Sequence, residues 1–214
     1  MSLTFYFAPM STSNVTEAVL AELGIDGERV RLDIDRGDTR TSAFRAINPN
    51  GRVPVIVHDG VAIWESSAIT IYLGEVFGVA AGLYPEQGPR RGEALKWIAW
   101  ASATLAEAAS RFAAALPAGS QGGVQAGSVD IAPPDERNAG ALERAQRDVS
   151  GCLDTLDAAL TEKPFLLGDY SLADTHLQVL VGWIGAMGLD LNPFPRTCIW
   201  LDACATRPAL ASLA

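Results

Sequence analysis

The sequence contains few cysteines, and none of them lies within residues 1–151. The three that occur, Cys152, Cys198 and Cys204, are an odd number and do not have the spacing of metal ligands. This pattern excludes a disulfide framework, and the absence of a Cys-x-x-Cys pair argues against thioredoxin-type redox chemistry. We therefore expect neither structural disulfides nor a bound metal.

Excess positive charge and long apolar runs are also missing. Residues 1–80 carry 6 Arg and 10 acidic residues, and residues 81–214 carry 10 basic and 15 acidic residues. Because no basic stripe is present, we expect no nucleic-acid partner. No segment approaches the roughly 20 apolar residues of a membrane span, so we expect no membrane partner. Met1–Met10 lacks the features of a secretory signal, which predicts a cytoplasmic protein.

Residues 1–78 have the pattern of a small α/β domain. Short apolar or alternating segments predict four strands, and segments with helical spacing predict three helices. The strands are Leu3–Phe7, Val30–Ile34, Val53–His58 and Val61–Trp64, and the helices are Val15–Leu23, Ser42–Ile47 and Glu65 to about Phe77. Asp59-Gly60, between the last two strands, is a strong hairpin signal. The predicted order is β-α-β-α-β-β-α.

Residues 90–214 lack strand-like alternation and predict an all-helical domain, which residues 79–89 link to the first domain. The predicted helices are Arg91–Leu116, Ala139–Leu160, Ser171–Met187 and Thr197–Thr206. Pro117–Gly140 holds five Gly and three Pro, too many for a regular element. We interpret this segment as a lid, a binding loop or a disordered stretch.

A cluster of hydroxyls stands at the start of the first predicted helix. Ser11, Thr12 and Ser13 are followed by the amide of Asn14. One such side chain is enough to cap a helix, and the surplus favours a further role only weakly. The cluster is therefore either a helix cap or part of a binding site.

Two further segments of the first domain place polar groups at chain bends. In Asn50–Val55, Pro54 stands at the entrance of a strand, which is typical of a sheet edge or a bend. The Val53-Pro54 bond is a candidate for the cis form. Glu65-Ser66 stands at a helix start, where a carboxylate is favourable and backbone N–H groups face outward. Each segment alone also has an ordinary structural interpretation.

Together, and in this order, these segments and the Asp-Gly hairpin resemble the N-terminal domain of cytosolic glutathione transferases, a thioredoxin-like fold. Phe165–His176 resembles the helix-start motif of the family's second domain. Within it, Ser171 and Asp174 are spaced as a capping box, which we assign to folding. The resemblance covers nearly the whole chain. It implies glutathione as co-substrate, a small-molecule electrophile as second substrate, and a homodimer.

The resemblance also implies a glutathione site. Val53 would pair its backbone with the cysteinyl part of glutathione, beside a cis Pro54. Glu65-Ser66 would bind the γ-glutamyl group. Asn50 and Arg52 would contact the glycyl end.

The residue that activates the glutathione thiol is a Tyr, Ser or Cys after the first strand in different classes of the family. Tyr6 lies within the predicted strand, too early for this role. An ungapped comparison with beta-type bacterial members places their cysteine at Thr12. Because no cysteine occurs in residues 1–151, a hydroxyl must take this role here. We favour Ser11, because serine-type plant members have a similar Met-Ser-x-Asn pattern, followed by Ser13 and then by Thr12.

The family holds the electrophile between the first loop and the long helix of the second domain. The residues that this implies are Met10, Trp100, Thr104, Ala108 and Arg111. We expect structural roles for His58 and His176. The predicted function is transfer of glutathione, as thiolate, to a small hydrophobic electrophile. A glutathione-dependent peroxidase or other reductive enzyme, and a non-catalytic interaction module with this fold, are the alternatives.

Overall fold

The computed structural model describes residues 2–116 and 139–211. Pro117–Gly140, for which the sequence predicts a lid, a binding loop or a disordered stretch, lies outside these residues except at its last two positions.

The N-terminal part is a four-stranded sheet with helices connecting its strands. Its elements are β1 (Leu3–Phe7), α1 (Ser13–Glu22), β2 (Glu28–Arg31), α2 (Ser42–Ile47), β3 (Val55–His58), β4 (Val61–Trp64) and α3 (Ser66–Leu73). The strand order is β2-β1-β3-β4. Strands β1 and β2 are parallel, and the other two pairs are antiparallel. The predicted element order and the thioredoxin-like class are confirmed.

Strand β2 differs from its prediction, since it spans Glu28–Arg31 and not Val30–Ile34. Two aspartates bend the chain directly after it. The Asp33 N–H donates to the Asp38 carboxylate at 2.8 Å, and the Arg36 N–H donates to the Asp33 carboxylate at 3.0 Å. Asp side chains that bond nearby backbone in this way favour turns over strands. The alternation of apolar and polar residues continues to Ile34, but the strand itself ends at Arg31 because of this turn.

The C-terminal part is helical. Its elements are α4 (Pro89–Trp100), α5 (Ala106–Ala115), α6 (Ala139–Ala159), α7 (Leu172–Ala186), α8 (Pro195–Ala205) and α9 (Pro208–Ala211). The segment predicted as one long helix is α4 and α5, joined by a π-helical turn at Ala101–Leu105. Within residues 2–116 and 139–211, no helix is both long and apolar enough to cross a membrane.

The two parts share one continuous apolar core. Val15 and Val19 of α1, Ile69 of α3, and Leu177 and Val181 of α7 are all fully buried in it. Burial of this kind contributes about 1.5–3 kcal/mol for each large aliphatic side chain. The helical part therefore fixes the positions of α1 and α3, the two helices that begin beside the candidate site.

A buried ion pair joins the end of α1 to the last turn of the chain. The guanidinium of Arg207 donates from Nε and Nη2 to the two carboxylate oxygens of Glu22, at 2.5 and 2.6 Å. The Glu22 side chain is 1% exposed. The Arg207 guanidinium also lies over the Tyr170 ring, 3.7 Å from its centroid. The pairing with Glu22 raises the pKa of Arg207.

A second buried contact joins α3 to α7. Nδ1 of His176 lies 2.9 Å from Oγ1 of Thr70, and both residues are fully buried. Nε2 of His176 has no hydrogen-bond partner among the described residues. Burial lowers the pKa of His176 from 6.5 to about 4. The imidazole is therefore neutral at physiological pH.

Removal of Arg207 is expected to destabilise the fold strongly. Arg207→Ala leaves the Glu22 carboxylate buried without its counter-charge, which costs about 3–5 kcal/mol. Arg90→Ala is the matched control, because the Arg90–Asp169 pair is exposed on both sides and contributes about 0–1 kcal/mol. Urea unfolding of both variants measures the difference. Equal losses for the two variants would contradict this account of the ion pair.

His176 is expected to make the fold sensitive to acid. The unfolded state takes up a proton near pH 6.5 and the folded state only near pH 4, so stability is lost as the pH falls between these values. The loss due to this residue is roughly 3 kcal/mol at pH 4. It is measured as the free energy of unfolding against pH, for wild type and His176→Asn. Parallel curves for the two proteins would show that the prediction is wrong.

Candidate functional site

A cleft of about 300 Å³ lies between the two parts of the molecule. Two other surface clefts, of about 420 and 440 Å³, lie beside the linker and beside the β2–α2 connection. The 300 Å³ cleft brings together seven of the nine residues that the sequence predicts for glutathione binding and thiol activation. Its lining residues are Ser11, Thr12, Ile34, Thr39, Asn48, Gly51, Arg52, Val53, Pro54, Glu65, Ser66, Ser102, Ala106, Ser110 and Leu180. Predicted residues Ser13 and Asn50 do not line it.

Ser11 and Ser13 form a closed hydrogen-bond network within the first loop. Ser11 Oγ donates to the Ala8 carbonyl at 2.7 Å and lies 2.9 Å from Ser13 Oγ. The Ala8 N–H donates to Ser13 Oγ at 3.3 Å, and the Ser13 N–H donates to Ser11 Oγ at 3.2 Å. Ser11 is 8% exposed and Ser13 is 1% exposed. Both hydroxyls therefore stabilise the turn that leads into α1.

The Thr12 hydroxyl is arranged differently. Thr12 is half-buried and lines the cleft, and its Oγ1 donates to the Val53 carbonyl at 3.3 Å. This distance is at the long end for an O–H donor, so the bond is weak. Although Thr12 precedes α1, its side chain makes no capping hydrogen bond. Its hydroxyl is thus the least engaged of the three and stands at a helix N-terminus.

The Asn48–Arg52 loop is held by one buried amide. Asn48 Nδ2 donates to the Arg52 carbonyl at 2.6 Å, and Asn48 Oδ1 accepts from the N–H and the side-chain amide of Asn50 at 3.0 and 3.2 Å. Gly51 has φ +62°, and a Cβ there would lie 2.9 Å from the Thr39 carbonyl oxygen. Asn48 and Gly51 therefore set the path of the chain toward Val53.

The peptide bond between Val53 and Pro54 is cis, as the resemblance implies. Pro54 is buried, and Val53 is half-buried with its carbonyl group bound to Thr12. The strand β3 begins only at Val55, after the proline. The backbone of Val53 is thus placed outside the sheet and against the cleft.

The start of α3 carries a strained glutamate. Glu65 has φ +72° and ψ 122°, a region that residues with a Cβ rarely adopt. Its carboxylate is exposed, and the next residue, Ser66, is the first of α3. Backbone strain of this kind costs on the order of 1–3 kcal/mol and often occurs at functional sites. The arrangement places a carboxylate and the free N–H groups of a helix start at one end of the cleft.

The opposite wall is formed by small side chains of the helical part. Ser102 in the π-helical turn, and Ala106 and Ser110 in α5, are four residues apart and share one face. Leu180 of α7 lies beside them in the lining. No sequence pattern singles out these four residues, because Ser and Ala with helical spacing are common on packed helices and Leu180 is an ordinary apolar helix residue.

The helical residues predicted to hold the electrophile lie elsewhere. Trp100 packs edge-to-face against Trp97, Ala108 is in the core, and Thr104 is exposed away from the lining. Arg111 is paired with Glu107 and Asp148 at 2.6 and 3.2 Å. Trp100, Thr104 and Ala108 are each two positions from a lining residue, which is roughly 200° or about half a helical turn, and Arg111 is one position, or about 100°, from Ser110.

Met10, the remaining residue of that prediction, is 41% exposed and has φ +54°. It lines the neighbouring 440 Å³ cleft together with Asp33, Asp35 and Asp38. It therefore stands beside the 300 Å³ cleft and does not form its wall.

The two histidines lie away from the cleft lining. His58 Nδ1 is 2.6 Å from the Tyr72 hydroxyl, and His176 contacts Thr70 as described above. In residues 2–116 and 139–211 there is no group of three or more His, Cys, Asp or Glu side chains able to hold a metal ion.

Comparison with known proteins finds the same two-part organisation. The family model described as "Glutathione S-transferase, N-terminal domain" matches residues 1–75, and "Glutathione S-transferase, C-terminal domain" matches residues 122–208. The chain is 29% identical over 205 residues to glutathione S-transferase GstB of Escherichia coli K12, covering 94% of this chain and 92% of that protein. It is 30% identical over 222 residues to glutathione S-transferase F10 of Arabidopsis thaliana, covering 98% and 94%.

Solved structures give the same result. A glutathione transferase from Methylococcus capsulatus has a TM-score of 0.80 and 26% identity, covering 98% of this chain and 96% of that one. A homologue from Sulfitobacter, crystallised with bound glutathione, has a TM-score of 0.78 and 22% identity, covering 99% and 96%. Since the family models match more than half of the chain, and relatives align with it over nearly their full length, the chain belongs to the glutathione S-transferase family.

Proposed function

We propose that the 300 Å³ cleft binds glutathione and that the protein activates its thiol for attack on a small electrophile. The observation that carries this proposal is the convergence of three groups on one cleft. These groups are the Thr12 hydroxyl, the Val53 backbone and the Glu65-Ser66 helix start. The Sulfitobacter homologue, which was crystallised with glutathione, has the same fold.

The charges of the cleft match those of the tripeptide. Arg52 and Glu65 are the charged side chains in its lining, and they have opposite signs. The Glu65 carboxylate would bind the γ-glutamyl ammonium group, and the N–H groups at the start of α3, from Ser66 onward, would bind its carboxylate. The Arg52 guanidinium would bind the glycyl carboxylate. The Val53 backbone would pair with the cysteinyl residue between these ends.

Asn50 has a more limited part in this proposal. It is exposed, does not line the cleft, and its side-chain amide is bound to Asn48. We assign to it support of the loop that carries Arg52 and Val53. A direct contact with the glycyl end, which the resemblance implies, stays a prediction.

The environment of Thr12 is suited to lowering the pKa of a thiol. A free cysteine thiol has a pKa of about 8.5 and is only about 3% ionised at pH 7. A helix N-terminus stabilises a negative charge by about 0.3–1 kcal/mol, or up to about 2 kcal/mol when partly buried. A hydrogen bond to a charged group adds about 1.5–3 kcal/mol. Together these effects amount to about 2–5 kcal/mol, which lowers the thiol pKa by roughly one to four units. The thiolate is the nucleophile, and the hydroxyl only donates its proton to a hydrogen bond.

Among the three predicted hydroxyls, the geometry favours Thr12. Ser11 would have to give up its 2.7 Å bond to the Ala8 carbonyl, and Ser13 is buried outside the cleft lining. Thr12 would exchange only a 3.3 Å bond to Val53 for a bond to sulfur. This reverses the order that the sequence pattern suggested, in which Ser11 came first and Thr12 last.

The electrophile would enter between Thr12 and the wall formed by Ser102, Ala106, Ser110 and Leu180. The small side chains leave space on this side of the thiol.

The two alternative functions differ from this proposal in the second substrate or in the thiol pKa. A peroxidase would use the same thiolate to reduce a hydroperoxide. A non-catalytic module would bind glutathione without lowering the pKa of its thiol. Assays with chlorodinitrobenzene and with cumene hydroperoxide separate transferase from peroxidase activity.

We also propose that the protein forms a homodimer through the first part of one chain and the second part of its mate. Apolar side chains on the N-terminal part support this, since Val61 and Trp64 of β4 are 63% and 37% exposed. The two residues point to opposite faces of the edge strand β4, and a partner chain that covers this edge would bury them.

Thr12→Val is expected to raise the pKa of the bound thiol. The loss of one hydrogen bond to a thiolate raises this pKa by about one to two units and lowers the rate at pH 7 by about 10- to 100-fold. Thr12→Ser retains the hydroxyl and should behave like wild type. The measurement is the ultraviolet absorbance of the thiolate of bound glutathione against pH.

Ser11→Ala and Ser13→Ala are the matched controls for this experiment. Each removes a loop hydrogen bond and should cost about 1 kcal/mol of stability, with a smaller effect on the thiol pKa. If Ser11→Ala raises the thiol pKa and Thr12→Val does not, the assignment to Thr12 is wrong and the order expected from the sequence is correct.

Glu65→Gly is expected to change stability and binding in opposite directions. Glycine adopts positive φ without a Cβ clash, so the free energy of unfolding should rise by about 1 kcal/mol. The lost carboxylate should weaken glutathione binding by about 10- to 100-fold. Glu65→Gln retains the strain and should weaken binding without the gain in stability. Urea unfolding and calorimetric titration measure the two effects, and unchanged binding in both variants would contradict the proposed γ-glutamyl site.

A further inference from the structure

A chain of hydrogen bonds runs from the helical part to the start of α3. His176 Nδ1 lies 2.9 Å from Thr70 Oγ1, and Thr70 Oγ1 donates to the Ser66 carbonyl at 2.8 Å. Thr70 and His176 are fully buried, and Ser66 is half-buried and lines the cleft. These hydrogen bonds connect α7 with the first residue of α3. Thr70 and His176 are 106 positions apart in the sequence.

The direction of each hydrogen bond follows from the number of protons. The Thr70 hydroxyl has one proton, and the Ser66 carbonyl can only accept. When Thr70 donates to Ser66, its oxygen accepts from His176, so the proton of the neutral imidazole is on Nδ1. The unpartnered Nε2 is then a buried acceptor, which is tolerated better than a buried N–H donor without a partner. Both hydrogen bonds are satisfied by this single arrangement.

The same helix also reaches the cleft directly. Leu180 lies four residues after His176, one turn further along α7, and lines the cleft. Helix α7 therefore contacts the cleft with Leu180 and contacts the α3 start through Thr70. Movement of α7 relative to α3 would change both contacts together.

From this geometry we infer that His176 is a positioning residue for the γ-glutamyl subsite, acting through Thr70 on the first turn of α3. This inference rests on the proposed function of the cleft. Thr70 fixes the Ser66 carbonyl, and His176 holds the Thr70 hydroxyl in the orientation that does so. The N–H groups at the start of α3 and the strained Glu65 backbone are thereby kept in place before glutathione binds. Such preorganisation increases affinity, because groups that are already ordered lose little conformational entropy when glutathione binds.

The test compares variants that remove, keep or mimic this chain of hydrogen bonds. Thr70→Val removes the hydroxyl at nearly constant volume, and Thr70→Ser keeps it. His176→Leu removes the donor, whereas His176→Asn places an amide N–H near the former Nδ1. Thr175→Val is the control, because Thr175 is a fully buried α7 hydroxyl that bonds Tyr170 and has no bond to α3 among those described. Stability is measured for every variant by urea unfolding.

The readout is the KM for glutathione and kcat at saturating glutathione, together with calorimetric Kd values for glutathione and γ-glutamylcysteine. For Thr70→Val and His176→Leu we expect a rise of about 3- to 10-fold in KM and in both Kd values, with kcat within about 2-fold of wild type. Thr70→Ser, His176→Asn and Thr175→Val should retain wild-type affinity. The Thr70 pair keeps the test decisive if His176→Leu does not fold.

Two results would overturn the inference. Wild-type affinity in Thr70→Val would show that the bond does not position the α3 start. An equal loss of affinity in Thr175→Val would show that any lost buried hydroxyl has the same effect. If wild type itself fails to bind glutathione, the proposed function is wrong as well, so the two failures are distinguished by the wild-type titration.

Discussion

The packing of α1 against α7 is the contact on which the rest of the site depends. One apolar core buries Val15 and Val19 of α1 together with Leu177 and Val181 of α7. The Glu22–Arg207 ion pair lies at the C-terminal end of α1. Helix α1 begins directly after Thr12, and α7 carries Leu180 into the cleft. The distance between the two walls of the cleft is thus set by a buried apolar contact and not by the loops that line it.

The polar side chains near the cleft fall into two groups with different tasks. Ser11, Ser13 and Asn48 are buried, and their hydrogen bonds hold the backbone of the loops. Thr12 and Glu65 have weak or no intramolecular side-chain bonds among those described, and they face the cleft or solvent. The first group makes the second available, because a fixed loop presents a free hydroxyl or carboxylate without further ordering. The strained backbone at Glu65 is consistent with this division.

The sequence predicted the order of elements and the site loops because these follow from local patterns. Alternating strands, the Asp-Gly hairpin and the Val53-Pro54 and Glu65-Ser66 segments all lie within short stretches of chain. Other details depend on neighbouring residues. Strand β2 ends early because of the Asp33 and Asp38 side chains, and the predicted electrophile wall was about half a helical turn from the lining residues. The Thr70–His176 contact joins residues far apart in sequence, and no local pattern reveals it.

The crystal structure of the complex with glutathione tests the central claim most directly. The account predicts the sulfur within hydrogen-bond distance of Thr12 Oγ1, the γ-glutamyl group at Glu65 and the start of α3, and the cysteinyl backbone paired with Val53. Glutathione bound in another cleft, or with its sulfur against Ser11 and away from Thr12, would contradict it.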